Sequence, residues 1–347
     1  MPAITLGLDV GDRYTHVHAL GAGGEVLRER RVRTAAAALG AALTGLPPAR
    51  VVLEAGPRSP WLSRLVADRG HEVVVANPRR VALIASSQRK TDRLDAEWLA
   101  RLGRFDPQLL APIRHRSEQS QHDLAVVRAR DALVRTRTLL INHVRGAVKA
   151  CGAALPSCTA DAFHRKVAEH IPGGLQPALL PLAETIGELT ARIAAAGREV
   201  EALCEAYPET AALRQVAGVG PITALTFVLT IEDPGRFPKN REVGAYLGLV
   251  PRQRDSGERE PQLGIGKSGD AGLRRMLVQA AHYILGPFGP DTDLRRWGER
   301  YAGTGARNAK KRAVVAVARR LSVLLLALWK SGELYEPLRH AAAREAA

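Results

Sequence analysis

Four carboxylates stand where a carboxylate is costly. Asp9 lies in the apolar run 4–10, and Glu54 closes the run Val51-Val52-Leu53. A charge on a buried strand is unfavourable unless it is paired or bound to a metal. Asp92 and Asp95 sit in Lys90-Thr91-Asp92-Arg93-Leu94-Asp95-Ala96. With Asp92 as a helix N-cap, Asp95 follows about one turn later on the same face. Two strand carboxylates and an i, i+3 pair can converge on hard divalent cations, which prefer oxygen ligands. Two such ions about 4 Å apart clamp the attacking and leaving oxygens of a phosphodiester. Singly, each acid also serves as a cap, a turn residue or an ion-pair partner. The order Asp, Glu, Asp-x-x-Asp is far more specific than any member.

Two further segments set glycines among basic residues. Leu213-Arg214-Gln215-Val216-Ala217-Gly218-Val219-Gly220-Pro221 reads as helix, Gly-x-Gly turn, helix. In that helix–hairpin–helix pattern the amides around Gly218 and Gly220 bind a phosphate at the second helix's N-terminus. A ligand-free turn between packed helices has the same sequence. Further on come Arg252-Gln253-Arg254-Asp255-Ser256-Gly257, then Gly266-Lys267-Ser268-Gly269-Asp270 and Leu273-Arg274-Arg275. A serine on a glycine-flanked turn among arginines can attack a phosphodiester, because nearby cations stabilise its alkoxide and the developing phosphorane charge. Taken alone, a Ser-Gly turn is most often only a turn.

Positioning these groups requires a mixed architecture. In the first third, strands are expected at 4–10, 14–20 and 25–32 as an antiparallel meander, then at 51–54 and 72–76 with helices after each. The fold class is α/β plus α: a ribonuclease-H-like mixed sheet over residues 1–110, a helical region over 111–207 and a mainly helical part over 208–347. No GxGxxG or GxxxxGK[ST] opens a strand–helix junction, which argues against a Rossmann or P-loop site. In the middle, Val127, Val134, Ile141 and Val148 recur every seven residues, and Leu182, Ile186, Leu189, Ile193, Ala196, Val200 and Leu203 form an a/d seam. That coiled-coil pattern fits a helical hairpin within one chain and an interface between two equally well. Between residues 113 and 149, eight Arg and Lys face three Asp and Glu. Arg128, Arg130, Arg135 and Arg137 are therefore expected to hold phosphates from one under-neutralised helix face, with a solvated surface as the alternative.

Composition narrows the partners. The 347 residues carry 50 basic and 35 acidic side chains, a net charge of +15, which points to nucleic acid as a polyanionic partner. Aromatic content of only 4% argues against a reader built chiefly on stacked bases. Three cysteines, Cys151, Cys158 and Cys204, give neither a disulfide framework nor a CxxC knuckle and suggest a reducing, cytoplasmic setting. No long uncharged apolar run and no secretory leader pattern is found, so no membrane partner is expected.

In this order and context, Leu8-Asp9-Val10, Leu53-Glu54-Ala55, the 90–96 motif, Ala217-Gly218-Val219-Gly220-Pro221 and the stretch from Leu247 to Arg275 resemble the DEDD-type insertion-sequence transposases over nearly the whole chain. The resemblance implies a RuvC-like N-terminal domain and a serine-bearing C-terminal domain. It implies that Asp9, Glu54, Asp92 and Asp95 bind Mg²⁺ beside a nucleophile placed at Ser256, with Ser268 as its rival. It further implies a covalent serine–DNA intermediate, target and donor DNA paired by a structured guide RNA, and a homo-oligomer, dimer or tetramer. Arg252, Lys267, Arg274 and Arg275 join the expected nucleic-acid contacts. The alternatives are a metal-dependent junction endonuclease without a serine step and a non-catalytic basic nucleic-acid-binding protein.

Overall fold

A computed structural model describes residues 2–84, 91–254, 263–306 and 308–339. It divides into two units, 1–118 and 119–347. In the first, β1 (Thr5–Val10), β2 (Tyr14–Leu20) and β3 (Val26–Arg33) form the expected meander. Next come α1 (Ala36–Leu43), β4 (Arg50–Glu54), α2 (Ser59–Ala67), β5 (Glu72–Ala76), α3 (Pro78–Ile84) and α4 (Asp92–Phe105). The strand order is β3-β2-β1-β4-β5, and both β1–β4 and β4–β5 are parallel. Parallel neighbours need crossovers, which the α1 and α2 connections supply. This mixed sheet with a mostly helical remainder is consistent with a ribonuclease-H/RuvC-like N-terminal domain.

Alternation along the strands separates two faces. Leu6, Leu8, Val51 and Leu53 pack on one side with Leu39 and Leu43 of α1 and Leu62 and Val66 of α2. Val52 and Val74 point the other way and meet Leu99 and Leu102 of α4. Helix α4 lies directly on the sheet because Gly7 offers no side chain: a Cβ there would stand 1.9 Å from the Ala96 carbonyl oxygen. At the far end of α4 the Arg50 guanidinium donates to the Gly103 carbonyl at 2.9 Å. The C-terminus of α4 thus sits at the start of β4, and its N-terminus at the strands' C-terminal ends. Helix α1 was not anticipated; its Ala-rich sequence lacks the polar alternation that marks an amphipathic helix.

The second unit is helical. It comprises α5 (Glu118–Ala150), α6 (Phe163–Val167), α7 (Gln176–Leu203), α8 (Glu209–Leu213), α9 (Pro221–Ile231), α10 (Glu242–Tyr246), α11 (Ala271–Leu285), α12 (Asp293–Ala302) and α13 (Ala309–Ser331). The heptad residues Ile141 and Val148 of α5 share a core with Phe163, Leu179 and Ile186. Val127 shares another with Val200 of α7 and with Leu225 and Leu229 of α9. The seam residues Ile186, Ile193 and Val200 are buried within the chain, while Leu182, Leu189 and Leu203 are half-buried. The expected helical region and C-terminal region therefore belong to one unit. No described helix is long and apolar enough to cross a membrane.

Candidate active site

The four acids share one face and one end of the sheet. β1 and β4 pair up to Leu8 and Leu53, and Asp9 and Glu54 are the next residue on each strand. Asp9 lies two residues beyond Gly7 and Glu54 two beyond Val52, so both belong to the face that α4 covers. Asp92 and Asp95 occupy the first turn of α4, at the same end. Asp9 and Asp95 are half-buried, whereas Glu54 and Asp92 are exposed. The cap is not Asp92. Thr91 takes that position, its hydroxyl accepting from the Leu94 amide at 3.3 Å, and Asp92 is the first helical residue. Both acids also complement the positive end of the helix dipole.

His16 was missed by sequence reasoning. It pairs across the ladder with Asp9, and its Nε2 stands 3.9 Å from the Asp92 carboxylate. The alternation His16-Val17-His18 on β2 was the available signal, since it places both imidazoles on the α4 face. His18 lies opposite Gly7, and burial pushes its imidazole below the usual range. Four carboxylates are the donor type that a hard divalent cation takes, and the backbone brings them to one place. Among the described residues, no three His, Cys, Asp or Glu side chains are yet gathered to hold an ion. The fit lies in donor chemistry and backbone placement.

Ser256 falls at 255–262, outside the described residues. The chain on either side forms a narrow neck. Pro251 bridges Ile265, the Arg252 amide donates to Gly264 at 3.0 Å, and the amides of Gly266 and Lys267 donate to Val250 and Gly248 at 2.9 and 3.1 Å. Gly248 and Gly269, at φ of +65° and +69°, hold the crossing: a Cβ on Gly248 would stand 2.3 Å from the Ser268 amide. The rival Ser268 belongs to this clasp. Its hydroxyl donates to the Ala245 carbonyl at 3.5 Å and its carbonyl accepts from Arg274 at 2.6 Å.

Several expected phosphate contacts have protein partners instead. Arg274 donates to the Leu247 and Ser268 carbonyls. Arg128 pairs with Asp270, the N-cap of α11, at 2.9 Å, and Arg275 and Arg135 both pair with Asp131. Arg130 has its Nε buried without a hydrogen-bond partner. Arg137 is buried and pairs with Asp161 and, at 3.2 Å, with Thr190. Asp270 and Asp161 from other segments, and Asp131 of α5 itself, thus pair with Arg128, Arg137 and Arg135, so this face carries less free charge than the helix read alone suggests. Arg137→Ala should cost about 1–3 kcal/mol of stability. That is below the cost of breaking a fully buried pair, since the Asp161 side chain is 73% exposed. The salt dependence of DNA binding should stay as in the wild type. Urea denaturation and a salt titration check this; a flattened salt slope with unchanged stability would restore Arg137 as a phosphate contact.

The Gly-x-Gly turn joins α8 to α9 as expected. Gly218 has φ of +80°, and a Cβ there would stand 3.0 Å from the Ala280 carbonyl oxygen. Gly220 caps α9 in extended conformation without a side-chain cap. Both line a shallow pocket of about 570 Å³ with Arg214, Thr223 and Gln279.

Two family models match the chain. The DEDD transposase model of the IS110 type covers residues 6–152, and the model described as "Transposase IS116/IS110/IS902 family" covers residues 210–292. The transposase for insertion sequence element IS1328 of Yersinia enterocolitica is 30% identical over 82% of this chain and 85% of its own length. The transposase for insertion sequence element IS1111A of Coxiella burnetii is 28% identical over 95% and 90%. A probable family 20 transposase of Pseudomonas aeruginosa is 28% identical over 96% and 98%. With the sheet order, the placement of the four acids and these likenesses together, the chain belongs to the IS110 family of DEDD transposases.

Proposed function

We propose that this transposase excises and inserts a mobile DNA element through a covalent serine–DNA intermediate. The Ser256 Oγ attacks a phosphodiester phosphorus, and the bond from phosphorus to one deoxyribose oxygen breaks. That oxygen leaves as a hydroxyl once it has taken a proton. Attack by another strand's hydroxyl then releases the serine and rejoins the DNA. Asp9, Glu54, Asp92 and Asp95 are the residues that would hold Mg²⁺. Bound there, the cation would lower the pKa of a coordinated hydroxyl and offset charge on the phosphoryl oxygens. What supports this reading is backbone placement in a strongly basic chain: Asp9 and Glu54 end adjacent strands on the face that α4 covers, and Asp92 and Asp95 lie in the first turn of α4. In line with the resemblance, an element-encoded RNA pairs with target and donor DNA while the protein grips shape and phosphates, chiefly through Arg252, Lys267 and the turn at Gly218 and Gly220.

The acids and the serine are contributed by different protomers of a homo-oligomer. Mixing Asp9→Ala with Ser256→Ala protein tests this. Each alone is inactive, and mixed oligomers regain an intact site and part of the strand-transfer activity. A mixture that stays inactive despite proven co-assembly would place both motifs in one chain.

A further inference from the structure

A cavity of about 1800 Å³ runs beside the neck of the serine loop. Leu249, Pro251, Gly264, Ile265 and Lys267 line one wall, and α12 and α13 form the others. It is strongly one-signed: nine Arg and Lys line it against two acids, Asp293 and Glu336. Arg296 and Arg339 have acid partners in Asp291 and Glu333. Among the described residues, no carboxylate lies within ion-pair distance of Arg300, Lys311, Arg319 or Arg320. Burial, and then the neighbouring charge of Arg300, push the Arg320 guanidinium below its ordinary range. A bound anion would offset both by favouring the charged guanidinium.

The cavity also carries planar groups. Trp297 and Tyr301, one turn apart on α12, stack with centroids 5.6 Å apart and planes 29° apart. The Arg320 guanidinium lies 3.9 Å from the Trp297 ring centroid. Close packing of α12 on α13 at Gly298, where a Cβ would meet Val317 at 2.6 Å, fixes the aromatic pair against the basic helix. From Arg312 to Ala327 the lining follows α13 for about 22 Å, the span of a few nucleotides. Cations along an apolar, aromatic-bearing channel are the combination that binds a single strand, with phosphates on the rim and bases against the rings. A duplex keeps its bases stacked internally and has no use for the rings.

The geometry points to this groove as a site for single-stranded nucleic acid, in which Arg300, Arg319 and Arg320 hold phosphates and Trp297 and Tyr301 stack a base at the foot of the serine loop. The inference rests on nucleic acid as the partner and not on the serine chemistry. It is therefore tested in full-length Ser256→Ala protein, so that failure of the groove and failure of the nucleophile assignment are read separately.

The test is fluorescence anisotropy over a salt series with labelled oligomers of about twelve nucleotides: a DNA strand, an RNA strand of the same sequence, and the DNA duplex. The double variant Arg300→Gln/Arg320→Gln should flatten the log–log salt slope for single strands by about 1.4. Trp297→Ala should weaken single-strand binding roughly tenfold with the slope unchanged, and Trp297→Phe should restore most of it. Duplex affinity should change little. A greater loss with the RNA strand would identify guide RNA as the occupant, and with the DNA strand a displaced DNA strand. Equal loss for duplex and single strand, or none for either, overturns the proposal. So does a change confined to self-association in sedimentation, which would make the groove a contact between copies of this chain.

Discussion

Ser256→Ala is expected to abolish the covalent protein–DNA adduct and to lower strand transfer by about four orders of magnitude or more, the scale seen when an enzyme loses its nucleophile. A serine hydroxyl is a weak nucleophile at neutral pH, and nothing in a water-activated reaction replaces its covalent step. The change removes one oxygen, and thermal melts of the variant beside wild type should show a folded protein, so that the loss is one of chemistry. Ser268→Ala separates the two serines. Ser268 is tied to Ala245 and Arg274 in the clasp that closes the loop, so its loss should slow strand transfer modestly and leave the adduct. A junction endonuclease without a serine step would instead cleave normally as Ser256→Ala.

Asp92→Asn should reduce strand transfer by about a thousandfold, and chelation by EDTA should do the same to the wild type, since a catalytic cation supplies several kcal/mol of charge stabilisation. The fold should survive. Thr91, and not Asp92, caps α4, and the Asp92 side chain is 73% exposed, with the His16 imidazole at 3.9 Å. The substitution therefore removes a helix-dipole interaction of about 0.3–1 kcal/mol. Activity assays with and without chelator, beside thermal melts, separate the two effects. Wild-type strand transfer surviving EDTA would remove the metal from the account, and unfolding of Asp92→Asn would recast Asp92 as a structural residue.

The acids were legible in the sequence because two of them interrupt or close apolar strand runs, and strand alternation is a local property that sequence displays. The meander followed by parallel strands was legible for the same reason. Long-range neutralisation was not. Arg128 finds Asp270 across 142 residues, and Arg137 finds Asp161 across 24, so a helix scanned by itself overstates its free charge. The cap at α4 went to Thr91 over Asp92 by one residue, within the span over which Thr and Asp compete for such positions. Nor could the basic groove be read from the chain. Trp297 and Tyr301 lie on α12, four of its nine cations on α13, and one wall on the neck residues Leu249, Pro251, Gly264, Ile265 and Lys267. The basic C-terminal helix gave charge without showing what it faced.

Attack of Ser256 on a phosphodiester, with the help of the four acids, would leave a covalent mark on one residue. The most direct measurement is peptide mapping by mass spectrometry of the protein–DNA adduct trapped on a denaturing gel, using end-labelled element DNA with Mg²⁺. A nucleotide-bearing peptide modified at Ser256 is expected, formed by the wild type and absent from Asp9→Ala and Asp92→Asn. Efficient strand transfer with no adduct at any stage, or an adduct mapped to Ser268, would contradict it.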